Sequence, residues 1–546
     1  MKKLIWLFFI LLLAFFLRFY QLDQNPPSLN WDEVSHGYNA YSILKTGADE
    51  WGVSWPLVFK AYGDYKLPVY IYSTVLSIKA FGLNDWAVRL PSALAGVFSV
   101  LLTYFLFKKL FKNHLGACLA SLFLAISSWH LFLSRAAFEA NLASFLVIGG
   151  IYFFLLGLEK KWLLPLSIFL LGLSVHTYYS ARIFTPLILI LLFFLYRIEL
   201  FNWFKKRKKE SLLTGFLLLL FFVPLVISFV SPQGWARFKW VSVLDQGAIN
   251  RINMARGSSS LPEPLPRLVH NKATYFTLAY AKNYFSNFSP NYLFFKGGSN
   301  YQYNIPGEGI IYPILIPLIL LGLYWLWRNR FQKGSKLILA WWLLAIVPAA
   351  ATQENPHVLR TILVLPVPYL LAALGFGQIW LWLKKQKIWR WILALIFSLI
   401  LIFSFLNFWR NYFGFYRQNY SWSWQYGYQQ AATYIEKNYN KYERILITKK
   451  YGEPHEFLLF YLKWNPEKYQ QDLNLKRYFQ TDWYWVDSFD KFIFINDWEV
   501  KQKAKCDGEN TKCLLLTSPG NYSEGWKKIE TINFLDGKPA FEILEW

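Results

Sequence analysis

Eleven apolar runs, most of them near the length that crosses a bilayer, recur along this chain at about 4–20, 90–107, 115–133, 138–157, 162–176, 183–200, 211–230, 310–327, 337–351, 361–382 and 391–408. A hydrocarbon core about 30 Å thick needs roughly 20 apolar residues per crossing, and a helix satisfies its backbone polar groups there without water. The chain is therefore expected to be a polytopic α-helical membrane protein with about eleven transmembrane helices. Composition agrees, since 55% of the 546 residues are apolar, 20% aromatic and 16% charged. A soluble chain of this length carries more charge than that. The first run, "MKKLIWLFFILLLAFFLRFY", has a basic start but no small-residue cleavage site, and reads as an uncleaved signal anchor.

Charge orients the helices. With the N-terminus in the cytoplasm, the inner segments hold Lys2, Lys3, "KKLFK" at 108–112, Lys160, Lys161, Arg197, "KKRKK" at 205–209 and the clusters 328–336 and 384–390. Together these contain 21 Lys or Arg against three acids, Glu159, Glu199 and Glu210, which is 18 of the net +24. The excess is thus a positive-inside signal of a multi-pass cell-membrane protein, and a nucleic-acid partner loses its main support.

The long connections fall on the opposite, extracytoplasmic side. Residues 1–409 form the transmembrane region, whose outer loop 21–89 carries helical patterns around 32–46 and 68–82 at the interface. The outer loop 231–309 is rich in Gly, Ser, Pro and Asn, with "RGSSSLPEPLPR" too irregular for regular structure, and reads equally as a mobile lid or as a plain disordered linker. Residues 425–546 read as a small extracytoplasmic α/β domain, with a helix at "QYGYQQAATYIEKNY" and strands at "RILIT", "KFIFIND" and "CLLLTSP". Cys506 and Cys513 are spaced to close a small disulfide loop in an oxidising compartment, whereas Cys118 lies in an apolar run.

The candidate site residues gather on the outer side. In "NWDEVSHGYNA", Asn30 and Glu33 have the spacing of a helix capping box, while Asp32, Ser35, His36 and Asn39 line one polar helix face. "AYGDYKLPVYIYS" places Asp64 and Lys66 just before Pro68, a residue suited to a helix start. Arg89 opens the second membrane helix in "RLPSALAG", where an interfacial arginine can also simply snorkel. "SRAAFEANLAS" brings Arg135 and Glu139 to a membrane boundary, where an acid is costly unless it is paired or functional. "HTYYSAR" and "PHVLR" add His176, Arg182, His357 and Arg360 at outer helix ends.

With these motifs the chain resembles the GT-C class of membrane glycosyltransferases, especially glycosyltransferase family 39, the protein O-mannosyltransferase and aminoarabinose-transferase group. "WDEVSHGYNA" matches the family's Asp-Glu motif in the first outer loop, "YKLPVY" its Lys-Pro motif, "RLPSALAG" its Arg-Pro-Ser segment and "SRAAFEANLAS" its second acidic motif. The resemblance is detailed over about residues 1–190. It implies an inverting transferase that moves mannose or a related sugar from a polyprenyl-phosphate donor to an acceptor hydroxyl on a protein, glycolipid or polysaccharide. Carried over by motif, Asp32 is the general base, Glu33 its neighbour and Glu139 the second acidic position. "KLP" stands where the commoner pattern is Lys-Pro-Pro, and Glu139 where some relatives have Asp.

The chemistry suits these residues. A hydroxyl attacking an anomeric carbon needs one carboxylate base, and a phosphate leaving group needs positive charge more than a proton. Arg182, His357 and Arg360 are expected at the lipid phosphate, since Arg makes bidentate phosphate contacts, and His36, Asp64, Lys66 and Arg89 complete the substrate-binding set. No cofactor is expected to be obligatory; a divalent cation, Mg or Mn, has Asp32 and Glu139 as its candidate ligands. The rival function is a polytopic lipid or sugar transporter, or flippase, which would place ionisable groups near the bilayer midplane. Here the helix interiors are nearly free of them.

Overall fold

The computed structural model describes residues 2–63, 65–230, 240–480, 483–506 and 511–546. It is a multi-pass helical membrane protein with a C-terminal α/β region. The chain divides into two compact units. The first holds residues 1–18, 94–134 and 139–408; the second holds 19–93, 135–138 and 409–546.

All eleven apolar runs fall on helix. Ten helices lead the membrane region or its first loop: α1 (Lys2–Phe19), α2 (Trp31–Thr46), α3 (Pro68–Phe81), α4 (Asp85–Phe111), α5 (His114–Ala125), α6 (Ser128–Ser134), α7 (Glu139–Gly157), α8 (Leu163–Val175), α9 (Tyr179–Lys206) and α10 (Lys208–Val230). Of all the described helices, seven are long and apolar enough to cross a membrane unaided: α4, α7, α9, α10 and the later segments Lys333–Ala350, Ile362–Lys385 and Lys387–Asn419. The remaining runs are the pair α5 and α6, bent by 56° at their junction, and three shorter apolar helices, Leu4–Phe19, Leu163–Val175 and Pro313–Arg328.

The bend is chemically compensated. Breaking a helix strands carbonyls that nothing in a bilayer can satisfy. Here Arg18 Nη1 donates to Ala125 O at 3.2 Å, Tyr312 Oη donates to Ile126 O at 2.8 Å, and Arg18 Nη2 lies 2.9 Å from His130 Nδ1. Arg18 is thereby fully buried without being unpaired.

The expectation of an irregular 231–309 loop fails. Helices run over Gln246–Gly257, Leu265–Val269 and Lys272–Ser286, with a π-helical turn at Asn291–Lys296. Asp245 and Asn271 cap two of them, accepting from Ala248 N at 2.6 Å and Thr274 N at 3.0 Å. The Gly-Ser-Pro cluster is only the short connection between two helices. Residues 231–239 of that loop lie outside the described residues.

In the second unit, the predicted helix and strands of the tail are present. A mixed sheet has the strand order β4 (Lys476–Gln480), β5 (Trp483–Phe489), β6 (Phe492–Ile495), β3 (Arg444–Thr448), β7 (Cys513–Thr517), β9 (Pro539–Glu545), β8 (Lys527–Asn533). Strand β3 is parallel to both neighbours, β6 and β7, and four of its five residues are buried, as a central strand covered on both faces requires. One face is built from Leu446, Ile495, Leu515, Trp526 and Leu544, against which Val500 and Ala504 pack. Cys506 and Cys513 form a disulfide beside it.

Candidate active site

Helix α2 starts as its sequence demands. Asn30 Oδ1 accepts from Glu33 N at 3.0 Å, and Glu33 Oε2 accepts from Asn30 N at 3.1 Å, completing the capping box. The two neighbouring acids are then treated differently. Glu33 is fully buried: its Oε1 accepts from Arg89 Nε at 3.0 Å and Ala137 N at 2.8 Å, and its Oε2 also accepts from Arg89 Nη2 at 3.2 Å. Asp32 keeps 36% of its side chain exposed and pairs with Lys66.

Arg89 explains why Glu33 stays inside. Its other donors go to Leu22 O and Pro26 O, each at 2.9 Å, and to Ser28 O at 2.6 Å, so all five N–H groups are engaged within the protein. This corrects the sequence expectation of Arg89 as a substrate-binding cation. A guanidinium with no donor left and no exposure organises the chain around α2 instead, and Glu33 is its structural counter-ion rather than part of a catalytic acid pair.

Lys66 is fixed by what surrounds it in sequence. It ends a two-strand ribbon, β1 (Phe59–Lys60) with β2 (Tyr65–Lys66), and stands two residues before Pro68, the first residue of α3. Tyr62 Oη donates to Trp31 O at 2.8 Å, tying the ribbon's turn to the start of α2. Asp64, the other polar candidate of this loop, lies outside the described residues.

His36, one turn beyond Asp32, is 1% exposed and its ring lies 5.2 Å from that of Tyr70. Burial first, and the nearby Lys66 ammonium second, lower its pKa to about 3. It is thus a neutral ring one turn from Asp32, and a substrate-binding role for it would be that of a neutral group. Gly37, next to it, has no room for a side chain: a Cβ there would meet Phe460 and Val88.

The first unit holds the other candidates. Arg182, on the first turn of α9, donates from Nε to Val175 O at 3.2 Å and from Nη1 to Ser228 Oγ at 3.4 Å. Arg360 donates from Nη1 to Thr352 Oγ1 at 2.8 Å and to Glu354 O at 3.2 Å. Both arginines line one cavity of about 110 Å³, with Tyr178, Tyr179, Ser180 and Thr352. That is room for several waters.

Glu139 begins α7 and is partly buried. The buried Tyr178 hydroxyl, raised above its usual range chiefly by desolvation, senses the Arg360 charge and then that of Glu139, so these three groups share one neighbourhood. Arg135, four residues before Glu139, spends Nη2 on the carbonyls of Tyr20, Gln21 and Asn25.

His357 reaches this loop indirectly. Its Nδ1 accepts from Arg360 N at 3.3 Å, which assigns the proton to Nε2, 3.4 Å from Glu354 Oε2. Glu354 Oε2 also lies 3.9 Å from Arg360 Nη2. The His357 hydrogen bond first, and the nearby Arg360 charge after it, hold the Glu354 carboxyl below its usual range. Sequence reasoning passed over Glu354 although "ENPHVLR" sets it three residues before His357 and six before Arg360.

Comparison with known proteins bears on both halves. The family model described as dolichyl-phosphate-mannose-protein mannosyltransferase matches residues 66–227. The crystal structure of ArnT from Cupriavidus metallidurans bound to undecaprenyl phosphate superposes with a TM-score of 0.53 at 13% identity, covering 99% of this chain and 98% of that one. The chain has the GT-C fold. The archaeal oligosaccharyltransferase AglB from Archaeoglobus fulgidus, in complex with an inhibitory peptide and a dolichol-phosphate, gives a TM-score of 0.53 at 13% identity, over 84% of this chain and 63% of AglB. No curated protein matches by sequence. On the GT-C scaffold the family match begins at Lys66 and takes in Arg89, Glu139 and Arg182, while Asp32, His357 and Arg360 fall outside it.

Proposed function

We propose that this GT-C protein is a glycosyltransferase that moves a sugar, mannose or a related one, from a polyprenyl phosphate to an acceptor hydroxyl on the extracytoplasmic side, with inversion at the anomeric carbon. The observation that carries the reading is the sorting of the acid pair: Glu33 is consumed by Arg89, and Asp32 alone is left partly exposed on a capped helix start. The bound lipids of the two solved structures, undecaprenyl phosphate in ArnT and a dolichol-phosphate in AglB, support the donor class.

In the proposed step the acceptor oxygen bonds to the anomeric carbon as the carbon–oxygen bond to the lipid phosphate breaks. The acceptor proton passes to Asp32, and the electron pair leaves on the phosphate. A base of this kind contributes about 10²–10⁴-fold. Lys66 pairs with Asp32 and holds its carboxylate in place. Arg182 and Arg360, converging on one small cavity, are assigned to the phosphate, with Glu354 and His357 orienting Arg360 and Glu139 polarising its Tyr178 wall. The positive charge that the chain itself supplies at Lys66, Arg182 and Arg360 supports a transfer without an obligatory cofactor.

The test is transfer from a panel of radiolabelled polyprenyl-phosphate sugars in membranes containing the wild-type protein, with product partitioned into protein, lipid and polymer fractions. Label moving from one donor into one fraction supports the reading and identifies the acceptor class. Donor turnover equal to that of membranes lacking the protein, across the panel, contradicts it.

A further inference from the structure

Beside helix α2 the second unit also buries an acidic cluster. Glu50 lies in the turn after α2, a turn tied by Asp49 Oδ1 accepting from Trp51 N and Val53 N, each at 2.9 Å. Its backbone N donates to Asn39 Oδ1 at 3.2 Å. His455 and Glu456 belong to the helix Pro454–Tyr461, which packs against α2. One ligand-type atom from each of Glu50, His455 and Glu456 lies within 4.8 Å of the others, and all three side chains are essentially inaccessible.

Glu50 has one carboxylate oxygen held and the other without a hydrogen bond, while Glu456 has neither held. Glu50 Oε1 accepts from Tyr484 Oη at 3.2 Å. His455 Nδ1 lies 3.4 Å from Glu453 Oε2, and Glu453 Oε1 accepts from Trp483 Nε1 at 2.6 Å. Glu50 Oε2, His455 Nε2 and both oxygens of Glu456 are buried with no hydrogen-bond partner, and His455 Nε2 is 3.9 Å from Glu456 Oε1. A carboxylate close to one ring nitrogen, with the other nitrogen facing acidic oxygens, places the imidazole as an outer-shell carboxylate places a metal-bound histidine, without the hydrogen bond that would lock it.

Charge points the same way. Glu50, Glu453 and Glu456 bring three carboxylates into the interior. Of the nearby cations, Arg477 donates Nη2 to Glu50 O at 3.0 Å, while Lys449 is taken by Asp487. One guanidinium leaves two negative charges, the number a divalent ion cancels.

We propose that Glu50, His455 and Glu456 form a structural zinc site that fastens the loop after α2 to the helix Pro454–Tyr461. One imidazole and two carboxylates suit zinc, whose ligand bonds of about 2.0–2.2 Å imply ligand separations near 3.3 Å, so the three groups close in by about an ångström on binding. The site is independent of the transfer reaction, and its test does not use it.

The full-length protein, purified in detergent without chelator, is analysed for metal and then titrated with zinc sulfate. About one zinc per chain is expected, falling below about one tenth in Glu456→Gln and His455→Gln, with about 10–100-fold weaker zinc binding in Glu453→Gln. As the ligand variants can misfold, the wild type is also stripped and reloaded, and zinc should raise its unfolding temperature. A wild type that takes up no zinc, with Glu456→Gln as stable as or more stable than it, overturns the proposal in favour of carboxyls sharing protons. Zinc that binds equally to all the variants overturns it as well.

Discussion

Replacing Glu33 by Ala should unfold this protein far more readily than replacing Asp32 by Asn, although the two acids are adjacent. Glu33 is fully buried and accepts four hydrogen bonds, two from Arg89 and two from backbone N–H groups of Asn30 and Ala137. Its removal leaves a buried guanidinium with two unmade bonds and two orphaned amides. Losing one partner of such a pair costs about 3–5 kcal/mol. Asp32, partly exposed and bonded to one lysine, should cost about 1 kcal/mol or less. Unfolding in detergent by a graded denaturant, followed by tryptophan fluorescence, measures both. A double-mutant cycle with Arg89→Met should show coupling of about 1.5–3 kcal/mol, since each single change strands the other group. A Glu33→Ala protein within about 1 kcal/mol of wild type, or singles that simply add, would refute the assignment of Arg89 and Glu33 as one buried unit.

Other outcomes follow from the same geometry. Arg360→Ala and Arg182→Ala should each raise the donor KM more than they lower kcat, because they remove phosphate contacts rather than the base; a pure kcat effect in steady-state transfer assays would count against the cavity as the phosphate site. Glu354 has a lowered carboxyl pKa, so its contribution to loop stability is complete above its ordinary value of 4.5 and lost as pH falls through the lowered value. The acid limb of a protease-sensitivity profile over residues 352–361 should therefore flatten in Glu354→Gln. Gly37→Ala should destabilise by about 1–3 kcal/mol, as overpacking between Phe460 and Val88 requires them to move, measurable in the same denaturant assay.

Much of this was legible in the residues. Asn-x-x-Glu gives the start of α2, Pro68 gives the start of α3, and apolar length gives the helices, because these signals are local and act through backbone chemistry. The α/β tail was readable for the same reason: "RILIT" and "CLLLT" are short buried runs of the kind that central strands need. The signals that failed were long-range or outweighed. Nothing in "RLPSALAG" indicates that Arg89 turns inward to an acid 56 residues earlier. Glu50 meets His455 and Glu456 only after the chain has crossed the membrane region many times. In 231–309 the Gly-Ser-Pro cluster drew attention from Asp245 and Asn271, ordinary N-caps that announce the helices on either side of it.

The central claim is that Asp32 takes the acceptor proton. Single-turnover transfer from the polyprenyl-phosphate sugar that the wild type uses, with the product anomer read by NMR, tests it most directly. The wild type should invert the anomeric centre, and Asp32→Asn should bind the donor normally while transferring about 10²–10⁴-fold more slowly. An Asp32→Asn protein that transfers at the wild-type rate, or a retained anomer, would contradict it.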